Sequence, residues 1–288
     1  MSKLKAIVIA DIHGSLKLLR RLRKELEEVD VIFVAGDIAG TICIPLIFQS
    51  IVKYKKISRE KYMELVFGEK YKEFVDFQLQ TTKKILNFLQ ELNKPVFFIH
   101  GNTDIPEVIT YIKKQTEQNS NLIFIESKIV EHDKIIVLGY GYCQKAEYSS
   151  IQTPTNRDIS IIKKDLLKLK EQAILLKKKN ENKLFIGLFH EPPKNTNIDL
   201  IPSRKYHAGN QEIYSFIFET PLFDFVFCGH IHEIRAIQTE KNIILINPGP
   251  LVNGFFAYVD LFTKEAILRR KTVLSLTNIV YKLRSIFV

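Results

Sequence analysis

Lys5-Ala6-Ile7-Val8-Ile9-Ala10-Asp11-Ile12-His13-Gly14 is the stretch on which the fold turns. It runs apolar and β-branched as far as Ala10, then switches to an acid, a histidine and a glycine. A short continuous apolar run of this kind reads as a strand buried on both faces, the usual condition of a parallel sheet covered by helices. Ser15 then opens a predicted helix whose Leu19, Leu22, Leu26 and Val29 fall at helical spacing. Val31 to Ala35 is a second buried strand ending at Gly36-Asp37, and Pro95 to Ile99 a third ending at His100-Gly101-Asn102. Strand, helix, strand, helix, strand in this order predicts a mostly parallel α/β sheet. Ligands of such sheets sit beyond the carboxyl ends of the strands, where Asp11, Asp37 and Asn102 fall.

Further along, Leu122 to Tyr140 reads as short antiparallel strands broken at Ser127 and Asp133. Ile159, Ile162, Leu166, Leu169, Ala173 and Leu176 define a long amphipathic helix with a solvated lysine face. Leu184 to Phe189 is another apolar strand, ending at His190-Glu191. Phe223 to Cys228 follows and ends at Gly229-His230-Ile231-His232. The late runs Ile234–Gln238, Ile243–Ile246, Phe255–Asp260 and Ala266–Arg270 predict a second sheet packed on the first. Residues 41–80 read as a helical insertion, with Ile57–Phe67 and Glu69–Leu92 as helices. It would serve as a lid, as a contact with a second subunit, or simply as padding of the fold. Residues 271–288 form an extension with Leu276, Ile279, Val280, Leu283 and Phe287 at helical spacing, which would dock on the body of the protein. With no internal repeat or low-complexity linker, residues 1–288 are expected to form a single domain.

Bulk composition narrows the class. A 46% hydrophobic share in 288 residues fits a globular protein with a well-buried core. The apolar run Ala6–Ala10 is too short for a signal-peptide core or a membrane span. Cys43, Cys143 and Cys228 are odd in number and far apart, which argues for a reducing, cytoplasmic setting and against a disulfide framework. A formal charge of +10 favours anionic partners, whether a phosphate ester or a nucleic acid, although no nucleic-acid signature is present.

The polar residues just beyond apolar strands are Asp11, His13, Asp37, Asn102, His190, His230 and His232. Each alone has an ordinary explanation as a helix cap, a turn residue or a structural histidine. Together they offer three oxygen and four nitrogen donors, and one carboxylate can bridge, so the set suffices for two divalent ions. Mixed oxygen and nitrogen donors suit Mn, Fe, Zn, Co or Ni better than Mg or Ca.

In order, Asp11-x-His13, Gly36-Asp37, Gly101-Asn102-x-Asp104, His190 and Gly229-His230-x-His232 resemble the five signature blocks of the calcineurin-like metallophosphoesterase superfamily. Asn247-Pro248-Gly249 is similar to the Asn-Pro-Gly turn of that superfamily. The segment from His190 through Asp199 and His207 to Glu233 resembles a branch of predicted phosphoesterases common in archaea. The resemblance implies a four-layer α/β/β/α sandwich with two mixed sheets. It implies that Asp11, His13 and His232 hold one metal and Asn102, His190 and His230 the other, with Asp37 bridging. It further implies phosphoester hydrolysis by attack of a metal-bound hydroxide. Many members carry a histidine where this chain has Thr103, a residue that cannot donate a proton at neutral pH. The expectation is therefore a phosphodiesterase, with Asp37, Asn102 and His207 as the catalytic group and His207 standing in for the missing acid. Asp104 would orient its neighbours or cap the next helix, and Glu191 and Glu233 would support the ligands beside them. A nuclease on RNA or DNA and a non-catalytic protein-interaction scaffold of the same fold are the alternative readings, and a homo-oligomer is a possible assembly.

Overall fold

The computed structural model describes residues 3–39, 71–117, 119, 121–145 and 155–272. Strand β1 (Lys5–Ile9) leads through helices α1 (Leu16–Arg21) and α2 (Arg23–Glu27) into β2 (Val31–Ala35). Helix α3 (Tyr71–Glu91), β3 (Val96–Ile99), α4 (Pro106–Thr116) and β4 (Leu122–Phe124) follow. Next come β5 (Lys128–His132), β6 (Ile135–Tyr140), β7 (Cys143–Gln144), β8 (Asn156–Arg157), α5 (Ile159–Lys179) and β9 (Leu184–Phe189). The chain continues through β10 (Leu200–Ile201), β11 (Tyr206–His207), α6 (Gln211–Glu219) and β12 (Phe225–Phe227). It closes with β13 (Ala236–Glu240), β14 (Ile243–Asn247), β15 (Phe255–Asp260) and β16 (Glu265–Arg270).

Two six-stranded mixed sheets result, ordered β16-β15-β1-β2-β3-β4 and β13-β14-β12-β9-β6-β5. Their facing follows from alternation, since successive side chains of a strand point to opposite faces. Ile7 and Ile9 of β1 pack under α1 to α4, whereas Ala6 and Val8, with Ala10 beyond them, pack against the other sheet. In the second sheet Ile186 and Leu188 face the first, and Phe185 and Phe189 lie beneath α5 and α6. The four layers are thus α/β/β/α. Between the sheets, Phe33 meets Phe97 and Phe227 at ring-centroid distances of 5.6 and 5.1 Å. Such pairs add about 0.5–1.5 kcal/mol each beyond the apolar area they bury. Replacing Phe33 with alanine would open a void at the middle of that interface, at a cost of about 3–5 kcal/mol.

Several sequence expectations need correction. Leu122–Phe124 is not part of an antiparallel run; it pairs parallel to β3 in the first sheet, and only β5 and β6 form the expected hairpin. The last two strands do not join the second sheet. β15 returns antiparallel to β1, in register Lys5↔Asp260 to Val8↔Ala257, and β16 continues the first sheet outward. The expected first helix is broken at Leu22, which caps α1 and precedes α2. Of the 41–80 insertion, only residues 71–80 are described, as the first half of α3. Residues 41–70 and the apolar positions of the 271–288 extension lie outside the described residues. Among the described residues no helix is long and apolar enough to cross a membrane.

Candidate metal centre

Strands β1, β2 and β3 run parallel, so their carboxyl ends share one rim, and β9 and β12 end at the facing rim of the second sheet. The loops beyond them are tied backbone to backbone. His13 N–H donates to the Asp37 carbonyl (2.9 Å) and Gly14 N–H to that of Ile38 (3.0 Å), while Gly229 N–H donates to that of His190 (3.0 Å). Side chains also cross between the sheets, the Asp11 carboxylate accepting from the His230 N–H at 3.1 Å. Asn247 secures the far side. Its Oδ1 accepts from Gly249 N–H (3.0 Å) and its amide donates to the Gly229 carbonyl (3.3 Å), so the Asn-Pro-Gly turn braces the His230–His232 loop.

Glycines appear where two loops come too close for a side chain. A Cβ at Gly36 would lie 2.5 Å from His190 Nδ1, and one at Gly229 would lie 2.9 Å from Asp11 Oδ2. Gly36 also has φ +87°, a conformation that only glycine adopts without strain. Four of the candidate ligands share this left-handed region without being glycine: Asp11 (φ 52°), His13 (φ 45°), Asp37 (φ 51°) and His230 (φ 72°). Residues held there cost about 1–3 kcal/mol each and persist where the surroundings over-determine them.

The seven polar side chains found at strand ends converge. His13 Nε2 and His232 Nε2 are 3.0 Å apart, and each faces a carboxylate, Asp37 Oδ2 at 3.7 Å and Asp11 Oδ1 at 3.5 Å. On the other side Asn102 Oδ1 lies 2.8 Å from His230 Nδ1 and 3.0 Å from His190 Nε2, with Asp37 Oδ2 3.4 Å from His190 Nε2. Asp37 therefore touches both groups. The Ala35 carbonyl accepts from His190 Nδ1 at 2.7 Å, which leaves Nε2 to face the centre. Two donors about 2.0–2.2 Å from one cation lie about 2.8–3.1 Å apart at right angles and about 3.3–3.6 Å apart at the tetrahedral angle. The observed separations fall in or close to these ranges. Neutral imidazole lone pairs and amide or carboxylate oxygens repel one another unless a proton or a cation stands between them, so the donor set fits divalent metal.

Charge follows the same geometry. Burial alone would raise the carboxyls of Asp11 and Asp37, but His232 beside the first and His190 beside the second outweigh it, and both sit below the usual carboxylate range. Burial would likewise depress His190, yet Asp37 and then Asp11 raise it to about 10. His230 is driven down to about 4, by burial first and then by the charge on His190, which leaves its lone pair free.

Asp104 is fully buried and does not cap α4, whose N-cap is Ile105. Its carboxylate accepts from the backbone N–H groups of Ile38, Ala39 and Gly101, all at 3.0 Å, so it ties the Asp37 loop to the Asn102 loop. Glu191 is buried and accepts from Gln144 N–H and the Asn210 amide, both at 2.9 Å, while Glu233 is exposed. His207 sits on the β10–β11 hairpin with its Nδ1 donating to buried Asp199 at 2.7 Å. One residue at the centre escaped the sequence reading. Cys143, just past β6, has its Sγ 3.9 Å from His230 Nδ1 and groups with His190 and His230. Its place after an apolar strand was the available signal, as for the other seven.

Two facing sheets that bring carboxylates, imidazoles and an amide to one rim define a metal-binding α/β sandwich. Residues 4–233 match the model of the calcineurin-like phosphoesterases, and the chain belongs to that family, whose members hydrolyse phosphoesters with metal ions. A protein of Methanocaldococcus jannaschii, MJ1162, is 26% identical over 257 residues, covering 88% of this chain and 91% of its own. The crystal structure of TT1561 from Thermus thermophilus is similar at a TM-score of 0.61 and 14% identity, over 93% of this chain and 99% of that one. A dimetal phosphatase from Danio rerio gives a TM-score of 0.59 at 11% identity, over 93% and 96% of the two chains.

Proposed function

We propose that two divalent cations are held by Asp11, His13 and His232 on one side and by Asn102, His190 and His230 on the other, with Asp37 shared. The observation that supports this most directly is the approach of imidazole nitrogens to amide and carboxylate oxygens at separations two ligands of one cation would have, such as Asn102 Oδ1 to His230 Nδ1 at 2.8 Å and Asp37 Oδ2 to His190 Nε2 at 3.4 Å. The dimetal phosphatase of Danio rerio, similar in fold, points the same way. Bound cations of this kind supply Lewis acidity and lower the pKa of water. The chain's own part is to fix the donors. Asp104 and the Thr103 N–H, which donates to Asp37 Oδ1 at 2.8 Å, set the orientation of the shared carboxylate.

Within the family activity, the preferred substrate on this reading is a phosphodiester. Position 103 contributes its backbone to Asp37, and its hydroxyl stays protonated at neutral pH. Leaving groups that need no strong acid are therefore favoured over alkoxides of simple monoesters. For leaving groups that do need an acid, His207 is the group we assign: Asp199 accepts from its Nδ1, and the side chain is partly exposed, so a proton can pass from it to the leaving oxygen. The protein is taken to act in the cytoplasm as a single domain. A panel of aryl and alkyl monoesters, aryl and cyclic diesters and short RNA, each with Mn, Zn, Ni and Co, tests the reading. Diesters should turn over fastest. Faster cleavage of alkyl monoesters would refute the diester preference. Salt-sensitive cutting of RNA would favour the nuclease reading to which the +10 charge lends weight.

A further inference from the structure

We infer that Cys143 is an additional protein ligand of the cation held by His190, His230 and Asn102, giving that site a sulfur donor. The inference rests on the metal-centre reading above and goes beyond its donor set. Strands β6, β9 and β12 are consecutive neighbours in the second sheet, all parallel. Residues just past their carboxyl ends therefore stand side by side, and these are Cys143, His190 and His230. The thiol is buried, 1% exposed, with its sulfur 3.9 Å from His230 Nδ1. A sulfur at about 2.3 Å and a nitrogen at about 2.0 Å from one tetrahedral ion lie about 3.5 Å apart, so a movement of a few tenths of an ångström completes the contact.

The segment carrying the cysteine is pinned on both sides. Gly141 N–H donates to the Glu126 carboxylate at 3.1 Å and Gln144 N–H to Glu191 Oε2 at 2.9 Å. Glu191 follows His190 directly, so the loop carrying the thiol is fastened to the loop carrying the imidazole. Cys143 N–H donates to the Thr155 carbonyl at 3.3 Å, and the Thr155 hydroxyl to that of Gly101 at 3.2 Å, beside Asn102. The thiol is thus held from two of the three loops that carry its companions, those of His190 and Asn102. Binding exchanges the S–H proton, released to solvent, for the cation. A thiolate donor shifts the preference of a site towards softer ions such as Zn and Cd and away from Mn.

Cobalt(II) loading of the full chain tests this without any turnover. The wild-type protein should show visible d–d bands together with an intense near-ultraviolet sulfur-to-cobalt band. Cys143→Ser should keep the d–d bands and lose the sulfur band, and Cys228→Ser should keep both. Competition should show Cys143→Ser losing its preference for Cd over Mn by about tenfold or more, at least the effect of removing an outer-shell partner. Cobalt bound without a sulfur band, or a band that survives Cys143→Ser, would overturn the sulfur ligand and leave the metal centre standing. A chain that binds no cobalt at all would overturn both. Should the variant not fold, cadmium NMR of the wild-type protein decides the matter. One strongly deshielded resonance supports a sulfur ligand, and only nitrogen- and oxygen-type shifts refute it.

Discussion

Replacing Asp104 with alanine perturbs the centre without removing any ligand. The carboxylate is fully buried and accepts from three backbone N–H groups at 3.0 Å, those of Ile38, Ala39 and Gly101. Truncation leaves three buried donors unpaired, each costing about 1–3 kcal/mol. Some of that loss is offset, because burial and the neighbouring Asp37 charge hold the Asp104 carboxyl above its ordinary value, so an ionised group there is not free of cost. We expect a net loss of about 3–6 kcal/mol, a large share of the roughly 5–15 kcal/mol that holds a domain folded. For a chain of this size that lowers the melting midpoint by roughly 6–24 °C. The two loops it ties present Asp37 and Asn102, so metal affinity should also fall, by about 10–100-fold. Urea unfolding and metal titration of Asp104→Ala and Asp104→Asn measure both quantities. A variant within about 1 kcal/mol of wild type that retained its metal affinity would refute the bracing role.

In the metal-free protein, the His190–Asp37 pair makes stability depend on pH. With its folded value near 10 and its ordinary value at 6.5, His190 contributes stability that is fully present below pH 6.5 and is lost as pH rises through about 10. Melts in chelator should show the midpoint falling over that range, and His190→Asn should flatten the slope; equal slopes in both proteins would contradict the assignment. His207→Ala and Asp199→Asn should slow substrates with poor leaving groups by about 10²–10⁴-fold while sparing those with good ones. Unchanged turnover on every ester would remove the dyad from the chemistry.

The strand ends were legible because a parallel strand buried on both faces leaves a plain record, an apolar run that stops at a polar residue. Asp11, Asp37, Asn102, His190 and His230 all mark such stops, and the structure draws them together. Sheet membership was not legible. Alternation tells which side of Phe255–Asp260 is buried, not that its neighbour is β1, some 250 residues back. Leu122–Phe124 and Lys128–His132 are separated only by a short turn yet belong to different sheets, a choice made by packing across the sandwich. The positive φ values of Asp11, His13, Asp37 and His230 carry no local signature, since aspartate and histidine tolerate that region without requiring it. In the sequence Cys143 signals only a redox setting, because a single thiol declares a ligand only when its neighbours in space are known.

His13 and His232 meet Nε2 to Nε2 although 219 positions separate them along the chain. On a ribosome the polypeptide would emerge with Asp11, His13, Asp37 and Asn102 exposed long before their three remaining imidazoles are synthesised. Cation capture would therefore be a late event, postponed until both halves of the sandwich exist and have closed on each other. Once seated, the ions would act as rivets between the halves, so chelation should loosen the seam between the sheets before it disturbs either sheet alone.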